Sequence, residues 1–149
     1  MKKLKPIIYG SLSGLWTVFI IFMSTQSAES SSGTSRGILK AILAAVYNLT
    51  KITIEPETVH NLFRKFAHFT EFFILGIFVV LFFKSINKNK FLAVIYGFLI
   101  AFLDELTQFF TGNGRAMRFS DMMIDTAGVL FAVLFLCIIF RKRRRASCV

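Results

Sequence analysis

Long, nearly uninterrupted runs of apolar residues dominate the pattern of this 149-residue chain. Four runs, over residues 7–23, 66–83, 91–110 and 122–140, reach the length that a bilayer requires. A membrane-spanning helix needs about 20 mostly apolar residues, and helices are expected because lipid offers the backbone no hydrogen-bond partner. The pattern predicts an all-α fold, an integral membrane bundle of four transmembrane helices, organised as a single domain over residues 1–149.

The first outer loop, residues 24–63, predicts two further elements. Its first part is rich in serine and glycine and is expected to be a polar linker. Apolar residues then recur at helical spacing, which indicates a short amphipathic helix lying on the outer membrane surface or packed on the bundle. These residues are Ile38, Leu39, Ile42, Leu43, Val46 and Leu49. Pro56 suits the first turn of a new helix, predicted to continue from residue 57 to residue 83.

Composition excludes several other classes of protein. Hydrophobic residues make up 55% of the chain and charged residues 17%, whereas a soluble domain has about 25% charged residues. This balance argues against a soluble domain, a disordered tail and a disulfide-stapled miniprotein. Cys137 lies in the fourth span and Cys148 in the tail, so no disulfide is expected.

The basic residues are distributed unevenly between the two sides of the membrane. If the N-terminus is cytoplasmic, eleven of the 18 basic residues fall in inside segments that contain no acid. They are Lys2, Lys3, Lys5, Lys84, Lys88, Lys90, Arg141, Lys142, Arg143, Arg144 and Arg145. The positive-inside rule then predicts a multi-pass protein with both termini in the cytoplasm. Because this topogenic role explains the net charge of +10, nucleic-acid binding is not expected.

The first span has a second interpretation, as a cleaved signal peptide, because three lysines precede it. Its run of 17 mostly apolar residues exceeds the usual apolar length of about 7–15 for such a peptide, so a retained span is favoured. The remaining topology is the same in either case, since the first loop is outside.

Polar and ionisable side chains gather near the outer ends of the last three spans. They are Arg64, Lys65, His68 and Glu71 on the second span, Asp104, Glu105 and Gln108 on the third, and Asp121 and Asp125 on the fourth, with Arg115 and Arg118 in the intervening loop. Helical geometry places Arg64, His68 and Glu71 within about 60° of arc. The innermost groups on each span lie at a similar depth, about 5–8 Å below the outer boundary. Since an ionisable group at mid-bilayer costs about 2.5–3.5 kcal/mol, the residues are predicted to form one polar site.

The residue types in this site indicate several kinds of chemistry. The basic residues at positions 64, 65, 115 and 118 suit anionic groups such as phosphate, and the carboxylates suit sugar hydroxyls or cations. The candidates for acid–base catalysis are His68, Glu71, Asp104 and Glu105. The carboxylates that could hold a divalent cation are Glu71, Asp104, Glu105 and Asp125, and their spacing defines no firm metal motif.

Part of this region also has a structural interpretation. Gly128 and Ala132 continue the helix face of Asp125, and small residues there let another helix approach closely. Ion pairs could lock the bundle without any ligand. The candidate pairs are Arg64 with Glu71, and Arg115 or Arg118 with Asp121 or Asp125. Locking four helices does not need so many charges, so a working site is favoured.

Two groups of these residues carry a resemblance to a known family. The first runs from Arg64 through Lys65, His68 and Glu71 to Leu75 and Gly76, and the second from Asp104 through Glu105, Gln108, Phe110, Arg115, Asp121 and Asp125 to Gly128. Both resemble motifs of the VanZ-like family, over about residues 60–135. Its members are small bacterial membrane proteins, named for one linked to resistance to the lipoglycopeptide teicoplanin. Position 72 is Phe where the family often has Tyr, and position 132 is Ala where a second glycine is common.

The resemblance implies a place in the bacterial cell envelope, at the plasma membrane, and supplies no mechanism. The first function that fits the site is binding or modulation of an outer-leaflet lipid headgroup, a lipid-linked wall precursor or a lipoglycopeptide, with antibiotic resistance as the implied phenotype. An enzyme acting on a lipid-linked substrate is the alternative. A proton- or cation-coupled transporter is a third possibility, disfavoured because transporter sites usually lie near the bilayer midplane.

Overall fold

The computed structural model describes residues 4–25, 56–111 and 117–146, except for the side chains of residues 56–58, 60 and 142–146. The described residues form four α-helices and no strand. The helices are α1 (Leu4–Thr25), α2 (Pro56–Ser85), α3 (Leu92–Phe110) and α4 (Phe119–Ala146). Each is long and apolar enough to cross a membrane. The predicted all-α bundle is confirmed, and the chain is a multi-pass membrane protein.

The helices extend beyond the apolar runs that predicted them. The second helix begins at Pro56, as predicted, because proline lacks the N–H that would have no partner in the first turn. The fourth run, predicted over 122–140, lies within a helix that extends from Phe119 to Ala146. The serine-rich linker, the predicted amphipathic helix over residues 38–49, Arg115 and Cys148 lie outside the described residues.

The helices run alternately up and down. Helices α1 and α2 are antiparallel, because Gly10 lies beside Phe82 whereas Trp16, later in α1, lies beside Glu71, earlier in α2. One end of the bundle is therefore built from the end of α1, the start of α2, the end of α3 and the start of α4. We call this end, which contains Asp104, the polar end.

A tight turn joins α2 to α3. The N–H of Lys88 donates to the oxygen of Phe83 over 2.8 Å, and that of Asn87 donates to the oxygen of Lys84 over 3.2 Å. These two bonds form the Schellman motif that ends many helices. The motif requires a left-handed residue, and Asn87 supplies it with a φ of 55°, a conformation that asparagine tolerates better than most residues.

Glycines set the separation of α2 and α4. A Cβ atom at Gly128 would lie 2.5 Å from the backbone oxygen of Phe69, and one at Gly76 would lie 2.7 Å from the Cβ of Ala132. Neither position has room for a larger residue unless the helices move apart. The prediction that Gly128 and Ala132 admit a close helix is confirmed.

An apolar core continues from the polar end toward the opposite end. Its buried members come from all four helices: Ile20, Phe72, Leu75, Val79, Val80, Ala93, Ile100, Ala101, Val129, Val133 and Leu136. Phe72 is completely buried, so the ring that stands where the family often has tyrosine packs in the core. Many other large apolar side chains are exposed on the outer faces of the helices, as expected for surfaces that contact lipid tails.

Candidate functional site

Most of the buried polar side chains of the described residues lie at the polar end. Six are at most 7% exposed: Ser24, Asp104, Glu105, Gln108, Asp121 and Asp125. Arg64 and His68 on α2 are adjacent to them, with side chains 27% and 18% exposed. We call these eight residues the polar cluster. Because every helix contributes at least one member, polar contacts as well as apolar packing join the four helices at this end.

Two charged contacts link α2 to α4, one helical turn apart. Arg64 Nη2 lies 3.4 Å from Asp121 Oδ2, and His68 Nδ1 lies 3.7 Å from Asp125 Oδ1. The partners stay level because α2 and α4 run in the same direction, so a step of four residues advances both helices equally. The close contact at Gly128 follows these pairs toward the opposite end.

Asp104 connects α1 and α3 to these two charged contacts. Its Oδ2 accepts a hydrogen bond from Gln108 Nε2 over 2.8 Å, and its Oδ1 accepts one from the hydroxyl of Ser24 on α1. The same Oδ2 lies 4.0 Å from Nδ1 of His68. One carboxylate of α3 is thereby in contact with both α1 and α2.

Glu105, the next residue, serves a different neighbour. Its Oε2 accepts a hydrogen bond of 2.7 Å from the backbone N–H of Arg118. The backbone oxygen of Arg118 in turn accepts the N–H of Asp121 in the first turn of α4. A carboxylate at a helix N-terminus is favourable because the backbone N–H groups there carry partial positive charge. Glu105 therefore fixes the start of α4 against the end of α3.

Asp125 differs from these acids in lacking hydrogen bonds. Its side chain is completely buried, and neither carboxylate oxygen accepts a hydrogen bond from the described residues. The carboxylates that repel a negative charge there are those of Asp104, Glu105, Asp121 and Glu71. Burying a charge is costly unless it is paired and hydrogen-bonded. The imidazole of His68 at 3.7 Å is the one basic group found to pair with this carboxylate within the described residues, and it carries a charge only when protonated.

Three side chains of the polar cluster are arranged as metal ligands would be. One ligand atom each from His68, Asp104 and Asp125 can be chosen so that all three lie within 4.8 Å of one another. Asp104 and Asp125 were predicted as cation ligands from the sequence, whereas His68 was predicted as an acid–base residue. Glu71 is not among these three residues.

The remaining predicted residues occupy several environments. Glu71 is half-buried one turn further along α2, and its backbone oxygen accepts the indole N–H of Trp16. The side chains of Lys65 and Arg118 are exposed. An Arg64–Glu71 ion pair is not what the structure shows, because Glu71 lies about 10 Å further along the helix axis whereas Asp121 is level with Arg64.

Ser24 is the member of the polar cluster that the sequence prediction missed. Ser24 follows an apolar run and begins a serine-rich segment, so the pattern assigns it to the polar linker. A signal was nevertheless present: Ser13, Thr17 and Ser24 are spaced so that they share one face of α1. The structure buries Ser13 and Ser24, which shows that this face packs against the other helices.

The comparisons with known proteins give a family for this arrangement. No curated protein and no solved structure gives a significant match to the chain. The family model described as VanZ/LLP1 matches residues 10–141. The matched segment includes the whole polar cluster and most of all four helices, and it is longer than the stretch 60–135 that contains the motifs. The chain belongs to the VanZ/LLP1 family.

Proposed function

We propose that this protein acts in the bacterial cell envelope, where the polar end of its bundle binds an outer-leaflet lipid, a lipid-linked wall precursor or a lipoglycopeptide. The main support is the concentration of buried ionisable side chains at one end of a membrane bundle. A bundle held only by packing has no need of four buried carboxylates. Binding at this position modulates the response of the cell to teicoplanin-type antibiotics, as membership of the family suggests.

The basic residues support an outer position for the polar cluster. The opposite end of the bundle includes Lys5 at the start of α1, the lysines of the α2–α3 turn and the arginine-rich end of α4. By the positive-inside rule, that end lies on the cytoplasmic side of the plasma membrane. The polar cluster is then in the outer leaflet, within reach of ligands that never enter the cell.

The cations around the polar cluster support an anionic ligand. Lys65 and Arg118 have exposed side chains, and Arg64 Nε donates no hydrogen bond to any described residue. Guanidinium and ammonium groups bind phosphate and carboxylate through charge-assisted hydrogen bonds. The carboxylates of the polar cluster would bind sugar hydroxyls or a cation that accompanies the ligand.

The test compares cells that carry the wild type, Glu71→Gln, Asp125→Asn, Lys142→Ala or an empty vector, at matched membrane levels. Teicoplanin susceptibility and surface binding of a labelled lipoglycopeptide are measured in the same cells. We expect the wild type and Lys142→Ala to protect, and both acid variants to lose protection while staying in the membrane. Equal protection by all variants would assign the acids a structural role, and no protection by the wild type would contradict the antibiotic part of the proposal.

The geometry around His68 supports a second candidate function. Its Nδ1 is 3.7 Å from Asp125 Oδ1 and 4.0 Å from Asp104 Oδ2, and a neighbouring carboxylate can orient an imidazole as a general base. The protein would then be an enzyme acting on a lipid-linked substrate. Turnover of a lipid-linked wall precursor by purified protein in vesicles, lost in His68→Gln, would establish this function. Binding of the same precursor without turnover would favour the first.

A further inference from the structure

We propose that His68, Asp104 and Asp125 bind one divalent transition-metal ion between α2, α3 and α4, with Zn²⁺ as its best probe. Their ligand atoms already converge, with 3.7 Å from His68 Nδ1 to Asp125 Oδ1 and 4.0 Å from His68 Nδ1 to Asp104 Oδ2. Ligands at about 2.0–2.2 Å from a tetrahedral zinc ion are about 3.4 Å apart. These two distances need to shorten by about 0.3–0.6 Å, and the ligand atoms of the third pair, Asp104 and Asp125, lie within 4.8 Å of each other.

Asp125 independently indicates a missing positive partner. Its carboxylate is completely buried and accepts no hydrogen bond from the described residues. It also lies on the side of α4 that faces Asp104 and His68. A carboxylate in such a place is stabilised by pairing or by coordinating a metal. A bound cation would give this carboxylate the positive partner that it lacks.

The charge balance around the three residues leads to the same conclusion. Four carboxylates are buried at the polar end: Asp104, Glu105, Asp121 and Asp125. Arg64 pairs with Asp121, and the start of α4 compensates Glu105. For Asp125 the neighbouring basic group is His68, 3.7 Å away, and the same imidazole nitrogen lies 4.0 Å from Asp104. A divalent cation neutralises both carboxylates while leaving the imidazole neutral, the form in which it binds metal.

The surroundings of Asp104 are those of a metal ligand held in place. Gln108 donates to its Oδ2 over 2.8 Å, and Ser24 donates to its Oδ1. A carboxylate oxygen has a second lone pair, so accepting these bonds leaves capacity for a metal. Outer hydrogen bonds of this kind orient ligands, and their removal weakens metal affinity about 10–100-fold.

The donor set selects among metal ions. An imidazole nitrogen suits zinc and other first-row transition metals, whereas magnesium and calcium prefer oxygen ligands alone. Three protein ligands also leave a tetrahedral ion one position for water or a substrate oxygen, as in catalytic zinc sites. Metal binding here does not depend on the lipid or antibiotic ligand proposed above, so either proposal can fail alone.

The test uses the full-length protein purified in detergent and stripped with a chelator. It is dialysed against buffered Zn²⁺, and separately against Mg²⁺, and bound metal per chain and the thermal midpoint are measured. We expect one zinc ion per wild-type chain, a zinc-dependent rise in the midpoint, and much weaker binding of magnesium. His68→Gln and Asp125→Asn each remove a ligand and should lower zinc affinity more than about 100-fold, beyond the loss expected from an outer hydrogen bond.

Two further variants make the result specific. Gln108→Ala should lose about 10–100-fold in zinc affinity, because it removes only the orienting bond. Glu71→Gln removes a carboxylate of the same region that is not among the three ligands and should change affinity less than Gln108→Ala does. If His68→Gln is not folded, Asp125→Asn decides, since it removes a buried charge and should be at least as stable as the wild type without metal. The proposal would be overturned if the wild type bound no zinc, or if His68→Gln and Asp125→Asn bound zinc as tightly as the wild type does.

Discussion

His68 Nδ1 lies 3.7 Å from Asp125 Oδ1, one helical turn from a close contact between α2 and α4. Gly128, one turn beyond Asp125, brings the backbone of α4 against the oxygen of Phe69, the residue after His68. The distance between the imidazole and the carboxylate is therefore set by the packing of two helices. Changes in that packing and changes in the site should be linked.

Gly128→Ala is expected to separate α2 and α4 and to destabilise the protein by about 1–3 kcal/mol, the usual cost of overpacking. A Cβ there would lie 2.5 Å from a backbone oxygen, which cannot rotate away. The thermal midpoint in detergent measures the loss. Gly14→Ala is the matched control, because a Cβ at that helical glycine meets nothing within 4 Å. Equal effects of the two substitutions would show that close contact is not what Gly128 provides.

Glu105→Ala is expected to lower stability by about 1–3 kcal/mol, because the N–H of Arg118 loses a charged acceptor. Glu105→Gln keeps an acceptor oxygen and removes a buried charge, so it should retain most of the stability. Chemical denaturation followed by circular dichroism measures both variants. If Glu105→Gln is as harmful as Glu105→Ala, the charge of Glu105 matters more than its hydrogen bond to the start of α4.

Arg64 and Asp121 should show a coupled effect on stability. Their side chains are 27% and 9% exposed and lie 3.4 Å apart. A double-mutant cycle with Arg64→Ala and Asp121→Ala should give a coupling energy of about 0.5–3 kcal/mol. Lys65→Ala, at the neighbouring exposed position, should change stability by less than about 0.5 kcal/mol. Additive effects of the two substitutions would mean that the ion pair contributes nothing to folding.

The sequence predicted the helices well because membrane helices obey strong constraints. A span must be long and apolar to cross the bilayer, so the four apolar runs indicated the four helices. Pro56 marked the start of α2 because a proline ring is tolerated at that helical position. The location of the polar cluster followed from the same physics, since ionisable groups inside a membrane are costly and gather where they can be compensated.

The partners within the polar cluster could not be predicted in the same way. A single helix gives the angle between Asp104 and Glu105, but their neighbours depend on the rotation and vertical offset of the other helices. Thus Asp104 meets Ser24 and His68, whereas Glu105 meets the backbone of Arg118. These offsets arise from packing between helices, which cannot be read from the pattern of residues along the chain.

Ser24→Ala tests the link between α1 and this cluster. The substitution removes a hydroxyl on α1 that donates to Asp104 on α3. Because the acceptor is a charged group, the free energy of unfolding should fall by about 1.5–3 kcal/mol. Ser13→Ala is the matched control, because Ser13 is also buried on α1 but its hydroxyl donates to the oxygen of Tyr9 within the same helix. Thermal unfolding of both variants, measured with and without Zn²⁺, distinguishes a role in the stability of the bundle from a role in zinc binding. Ser24→Ala alone should be less stable and bind zinc more weakly, because Asp104 loses one of the bonds that orient it. If the two serine variants behave alike, the Ser24 hydroxyl contributes nothing specific to the site and Ser24 is not part of it.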